Sequence, residues 1–95
     1  MKSNELSLAE ALKMYLARSP FKAQYDAARI EACWESVVGK TISRYTKSLK
    51  LNQHRLIITT EVAPLKQELL FSRDMIRTRI NEALGEPIVE EVVIR

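Results

Sequence analysis

The chain has 95 residues, 46% of them hydrophobic and 28% charged, with a formal net charge of +3. That length suits a single domain spanning residues 1–95, and the composition is that of a globular protein rather than a disordered chain. One cysteine, Cys33, excludes an internal disulfide and cannot complete a zinc site with the lone histidine, His54.

No apolar run approaches the roughly 20 residues that a membrane-spanning helix needs. The residues after Lys2 contain no apolar stretch, so no signal peptide is expected, and the chain reads as cytoplasmic. Ser7-Leu8-Ala9-Glu10 has the form of a capping box, in which hydroxyl and carboxylate each satisfy a free backbone N–H. Leu8, Leu12, Tyr15 and Leu16 follow at helical spacing, which predicts a first helix over residues 8–18.

Ser19-Pro20 looks like the cap and first position of a second helix. Its apolar stripe is Tyr25, Ile30, Cys33, Trp34, Val37 and Val38, and Gly39 is expected to end it in the left-handed conformation. A short connection around residues 41–44 leads to a change of period. Tyr45, Leu49 and Leu51 then share one strand face, with Thr46, Ser48 and Lys50 on the other. Asn52-Gln53-His54 reads as a turn. The returning strand sets Leu56, Ile58 and Thr60 against Ile57, Thr59 and Glu61. The face carrying Thr46, Ser48, Lys50 and Thr59 is too polar for a second covering layer.

Ala63-Pro64 opens a long third helix with Leu65, Leu69, Ile76, Ile80 and Ala83 on its buried stripe, ended by Gly85 and Pro87. A last strand covers residues 88–94. Its adjacent Glu90 and Glu91 point to opposite faces, as suits an edge position. The order α-α-β-β-α-β describes an α+β domain. Its three-stranded sheet has helices on one face, and its crossover is expected to be right-handed.

Charge is distributed unevenly. Residues 1–35 sum to zero, residues 36–60 carry five basic and no acidic side chains, and residues 80–95 sum to −3. The basic window holds Lys40, Arg44, Lys47, Lys50 and Arg55. Lys66, Arg73 and Arg77 lie along one flank of the third helix and could extend it. A run of cations is most often a solvated surface. Twenty-five residues without an acid favour an anionic partner, with phosphate contacts gaining affinity by counterion release.

Other singular residues have plainer readings. Trp34 belongs to a continuous stripe and is read as core rather than as a binding anchor. Cys33 is a small hydrophobe and His54 a solvated turn residue. No cysteine–histidine pair, carboxylate pair or glycine loop supports catalysis, and no metal or cofactor is implied.

Trp34-x-x-Val37-Val38-Gly39, followed by Ile42, Thr46, Leu49, Leu56, Ile58, Glu68-Leu69, Ile80-Asn81, Gly85, Val92 and Ile94-Arg95, resembles the DciA-like family. The resemblance covers nearly the whole chain, from about Leu8 to the C-terminus. It implies a K-homology-like fold and association with the bacterial replicative helicase, which family members help to place on DNA. Longer relatives carry a flexible basic extension beyond the last strand, where this chain ends at Arg95. Many relatives also open the long helix with a second tryptophan, where this chain has Pro64-Leu65. No Gly-x-x-Gly loop is present, so the backbone clamp of nucleic-acid-binding K-homology domains is absent.

These readings converge on a non-enzymatic, nucleoid-associated adaptor in chromosome replication. It is expected to bind single- or double-stranded DNA weakly and without sequence preference, and to bind the replicative helicase. An RNA partner would rest on fold analogy alone. The alternative is a protein-interaction module whose basic face meets an acidic protein. An exposed sheet face and a terminal strand also leave room for a homodimer.

Overall fold

The computed structural model describes residues 8–12, 14–15 and 18–95. Residues 8–12, 14, 15 and 18 are helical, and Leu8, Leu12 and Tyr15 are exposed. Ser7 of the expected capping box and Leu16 of the expected stripe lie outside the described residues.

The first full helix, α1, runs over Lys22–Val38 and buries Ile30, Trp34 and Val37. It begins two residues later than Ser19-Pro20 suggests. Phe21, not Ser19, is the N-cap, and no side chain caps the helix; Ser19 instead closes the turn before it, its Oγ accepting the Phe21 N–H at 3.1 Å and its carbonyl the Lys22 N–H. Tyr25 is exposed, contrary to its assignment to the buried stripe. The ammonium of Lys22 and the guanidinium of Arg29 lie over its ring. The buried side chain one position on is Asp26, 3% exposed, which pairs with Lys22 at 2.8 Å and Arg29 at 3.4 Å. Arg29 also reaches the end of the last helix, binding Glu86 at 2.8 Å and the Leu84 carbonyl at 2.8 Å. A buried carboxylate is tolerable because cations surround it.

Gly39 does end α1, but in a different geometry from the one expected. Its φ of 92° and ψ of 166° lie in a region open essentially to glycine alone, not in the left-handed helical well. That angle turns the chain directly into a second short helix, α2, over Lys40–Arg44, where the sequence suggests only a connection. Tyr45 follows as its C-cap and is exposed, so it does not belong to the inner strand face.

Strands β1 (Ser48–Asn52) and β2 (Arg55–Thr59) form the antiparallel hairpin, pairing Leu49 with Ile58 and Leu51 with Leu56. The two-residue turn places Gln53 at φ 50° and His54 at φ 68°. Thr46 precedes the strand instead of lying on its solvent face. Its Oγ1 accepts the Trp34 indole N–H at 3.0 Å and donates to the Ile42 carbonyl at 2.6 Å. Trp34 is therefore a core residue, 3% exposed, with its one polar atom satisfied.

The expected third helix is two helices. α3 covers Ala63–Phe71 and α4 covers Arg73–Leu84, with a break at Ser72. The Ser72 N–H is shared between the Glu68 and Leu69 carbonyls, and Arg73 Nε donates to the Leu70 carbonyl at 3.1 Å. These bonds satisfy groups that the break would orphan, so no glycine or proline is needed there. Leu69, Ile76 and Ile80 are buried as expected, whereas Ala83 is exposed and Leu84 packs on the core in its place.

Gly85 closes α4 in the left-handed conformation, φ 71° and ψ 17°. Asn81 then holds the connection, donating to the Val89 carbonyl at 2.9 Å and accepting the Val89 N–H at 2.8 Å. Strand β3 is shorter than expected, Glu91–Ile94, and pairs parallel to β2 at the edge of a sheet ordered β1-β2-β3. Leu56, Ile58, Val89 and Val92 join Ile30, Trp34, Leu69, Ile76 and Ile80 in the core. Burying each large apolar side chain contributes about 1.5–3 kcal/mol. The architecture is α+β in the order read from the sequence, and its β2-α3-α4-β3 run is compatible with a K-homology-like domain.

Candidate nucleic-acid interface

The sheet sets two faces apart by alternation. Leu49, Leu51, Leu56, Ile58, Val92 and Ile94 turn toward the helices. Ser48, Lys50, Asn52, Arg55, Ile57, Thr59, Glu91 and Val93 fall on the other face, which no described element covers. Lys50 lies opposite Ile57, and Ile57 opposite Val93, so one row runs cation, apolar, apolar across the three strands. The next row runs Asn52, Arg55, Glu91. Arg95, whose N–H binds the Ile58 carbonyl at 2.8 Å, continues the alternation onto this outer face.

The eight cations singled out by the sequence fall in three places. Lys50 and Arg55 lie on the outer sheet face. Lys40 and Arg44 lie one helical turn apart on α2, with Lys47 just beyond it, and the Arg44 guanidinium stands over the exposed Tyr45 ring at 5.8 Å. Lys66 is on α3, whereas Arg73 and Arg77 are on α4. Those two line an opening beside β3 together with Leu70, Phe71 and Val92. The break at Ser72 thus divides the flank that a single helix would have made continuous.

Folding also brings acids to a window that has none in sequence. Lys47 pairs with Glu61 at 3.4 Å and Arg55 Nε with Glu91 at 3.1 Å; outside that window, Arg77 pairs with Asp74, one turn away on α4, at 3.8 Å. All of these groups are solvent-exposed, so the pairs are weak and yield readily to a phosphate. Lys40, Lys50 and Lys66 have no carboxylate within 4.0 Å among the described residues. Arg95 and the Arg44–Tyr45 stack are features that the basic window alone did not single out. The period-two pattern ending at Arg95 carries the signal for the first. Nothing in the pattern distinguishes Tyr45 from an inward strand residue.

The remaining polar residues have structural work. His54 Nδ1 lies 2.9 Å from the Ile88 carbonyl, and the His54 carbonyl accepts the Glu90 and Glu91 N–H groups. Cys33 is partly buried, and burial pushes its thiol pKa up, against the nucleophilic thiolate. The Arg29 pKa is also raised, chiefly by its hydrogen bond to Glu86, which favours the charged guanidinium. No described helix is long and apolar enough to cross a membrane.

The family described as "Dna[CI] antecedent, DciA" matches residues 7–94, nearly the whole chain. The chain belongs to the DciA family. No curated protein matches it. DciA proteins are non-enzymatic helicase loaders, which gives the chain a helicase-loader-related role in replication. In DciA terms, Trp34, Val37 and Val38 pack one helix, Gly39 supplies the turn into α2, and Asn81 fixes the approach to β3.

Proposed function

We propose that the chain is a DNA-associated adaptor of the replicative helicase, without catalytic activity of its own, acting in the cytoplasm at the nucleoid. The observation that carries the DNA contact is the uncovered sheet face, where Lys50, Arg55 and Arg95 surround the half-buried Ile57 and Val93. Lys40, Arg44 and Lys47 extend the contact past β1, and Tyr45 offers a ring for an unstacked base. Lys66, Arg73 and Arg77 form a second, smaller basic flank. Side-chain charge without a backbone clamp gives weak binding to single or double strands with little sequence preference.

Titration of labelled single- and double-stranded DNA at 50 and 200 mM salt tests this reading. With about four phosphate contacts, affinity falls on the order of a hundredfold across that range. Lys40→Glu with Lys50→Glu flattens the slope, because neither cation has a carboxylate partner among the described residues. Binding that is absent at low salt, or unchanged by salt, contradicts the DNA contact. The pairing of Lys47, Arg55 and Arg77 with nearby acids favours a second reading, a module that docks its basic face on an acidic protein. Helicase capture abolished by the same reversals, from a chain that binds no DNA, decides for that reading.

A further inference from the structure

The edge strand β3 has a free side. The Glu91 N–H binds the His54 carbonyl and the Arg95 N–H binds the Ile58 carbonyl. Backbone groups alternate along a strand, so Val92 and Ile94 direct their N–H and C=O groups away from β2, along the open edge.

The sequence of that edge is Glu91-Val92-Val93-Ile94-Arg95, and it is complementary to itself. An antiparallel two-fold centred on Val93 sets Glu91 opposite Arg95 of a second copy, Val92 opposite Ile94, and Val93 opposite itself. The outward-pointing residues, Val92 and Ile94, are then the ones that exchange hydrogen bonds, about four in all. Both patterns, charge and backbone, select the same register. Glu91 is held by Arg55 on one side at 3.1 Å and would meet Arg95 of the second copy on the other.

The helix side of the edge has room for the second copy. An opening of about 300 Å³ runs between α3, α4 and β3, lined by the apolar Leu70, Phe71 and Val92 and by charged residues that include Arg73, Asp74 and Arg77. Phe71 is 88% exposed, an unusual position for a large aromatic at the end of a helix. Ile94 of the second copy, opposite Val92 and on the helix-facing side, projects toward this opening.

We infer that two copies of this chain pair through β3 in that register, making one continuous six-stranded sheet. The interface is small, so the dimer is weak and concentration-dependent. Its outer face carries Lys50, Arg55 and Arg95 twice. Two such faces on one DNA raise the effective concentration of the second contact. The pairing stands independently of whether DNA binds.

Sedimentation velocity over a concentration series, with circular dichroism to confirm folding, tests the pairing. The wild-type chain is expected to shift from monomer to dimer. Arg95→Glu and Glu91→Arg, each placing like charges opposite one another twice, are expected to weaken the dimer by about tenfold or more. Mixed one to one, the two variants restore opposite charges at both contacts and are expected to recover the dimer. Arg95→Glu is the primary variant, because it leaves the Arg55–Glu91 pair intact. A wild-type chain that stays monomeric at millimolar concentration overturns the inference. So does a dimer indifferent to both reversals, or a folded mixture that fails to recover.

Discussion

Asn81 offers a quantitative test of how α4 delivers β3 to the sheet. Its amide makes two bonds to the backbone of Val89, at 2.9 and 2.8 Å, and Val89 is 2% exposed. Asn81→Ala removes both partners at once. Each bond contributes about 1 kcal/mol net, and an unsatisfied buried N–H or C=O adds about 1–3 kcal/mol where water cannot replace the amide. Alanine returns about 0.6 kcal/mol through better helix propensity. The balance is a loss of about 2.5–4.5 kcal/mol, or about 10–35 °C in melting temperature for a chain of this size. Urea unfolding followed by Trp34 fluorescence measures it, with exposed Glu82→Ala as a control expected to stay within about 0.5 kcal/mol. A loss below about 0.5 kcal/mol for Asn81→Ala would show that the two bonds do not hold the connection.

Three further outcomes follow from single residues. Gly39→Ala meets no atom within 4 Å at its new Cβ, so its whole effect is backbone strain at φ 92°; a destabilisation of about 1–3 kcal/mol is expected in the same urea assay, and an unchanged midpoint contradicts the assigned geometry. Arg29→Met breaks the links to Asp26, Glu86 and the Leu84 carbonyl, leaving the buried Asp26 with Lys22 as its one cation among the described residues; a loss of about 2–3 kcal/mol is expected, and a neutral result would mean the clasp holds nothing. The raised Cys33 pKa makes folding favour the protonated thiol, so its contribution is full below the ordinary thiol pKa. That contribution declines as pH rises through that value toward the higher folded one, and Cys33→Ala should remove this part of the alkaline loss in melts across that range.

Much of the architecture was legible in period and punctuation. The switch from helical to alternating spacing after residue 44 located the hairpin, and the stripe from Ile30 to Val37 located the helix that covers it. The break at Ser72 was not legible, because side-chain and shared backbone bonds close it without a glycine or proline. Apolar spacing stays in phase across it, from Leu69 to Ile76. Tyr25 and Tyr45 were misplaced for one reason: an aromatic that shields a cation looks the same in a hydropathy pattern as one that faces the core. The basic window was legible as a window but not as a surface. Only the paired strands show that Glu91 sits beside Arg55 and that Arg95 shares the face with Lys50.

The adaptor reading is tested most directly by measuring how much replicative helicase from the same organism is retained on labelled single-stranded DNA, with and without this chain. The wild-type chain is expected to raise that retention at low salt, and the folded Lys40→Glu, Lys50→Glu double variant is expected to lose most of the gain. Equal retention with and without the wild-type chain would contradict the account.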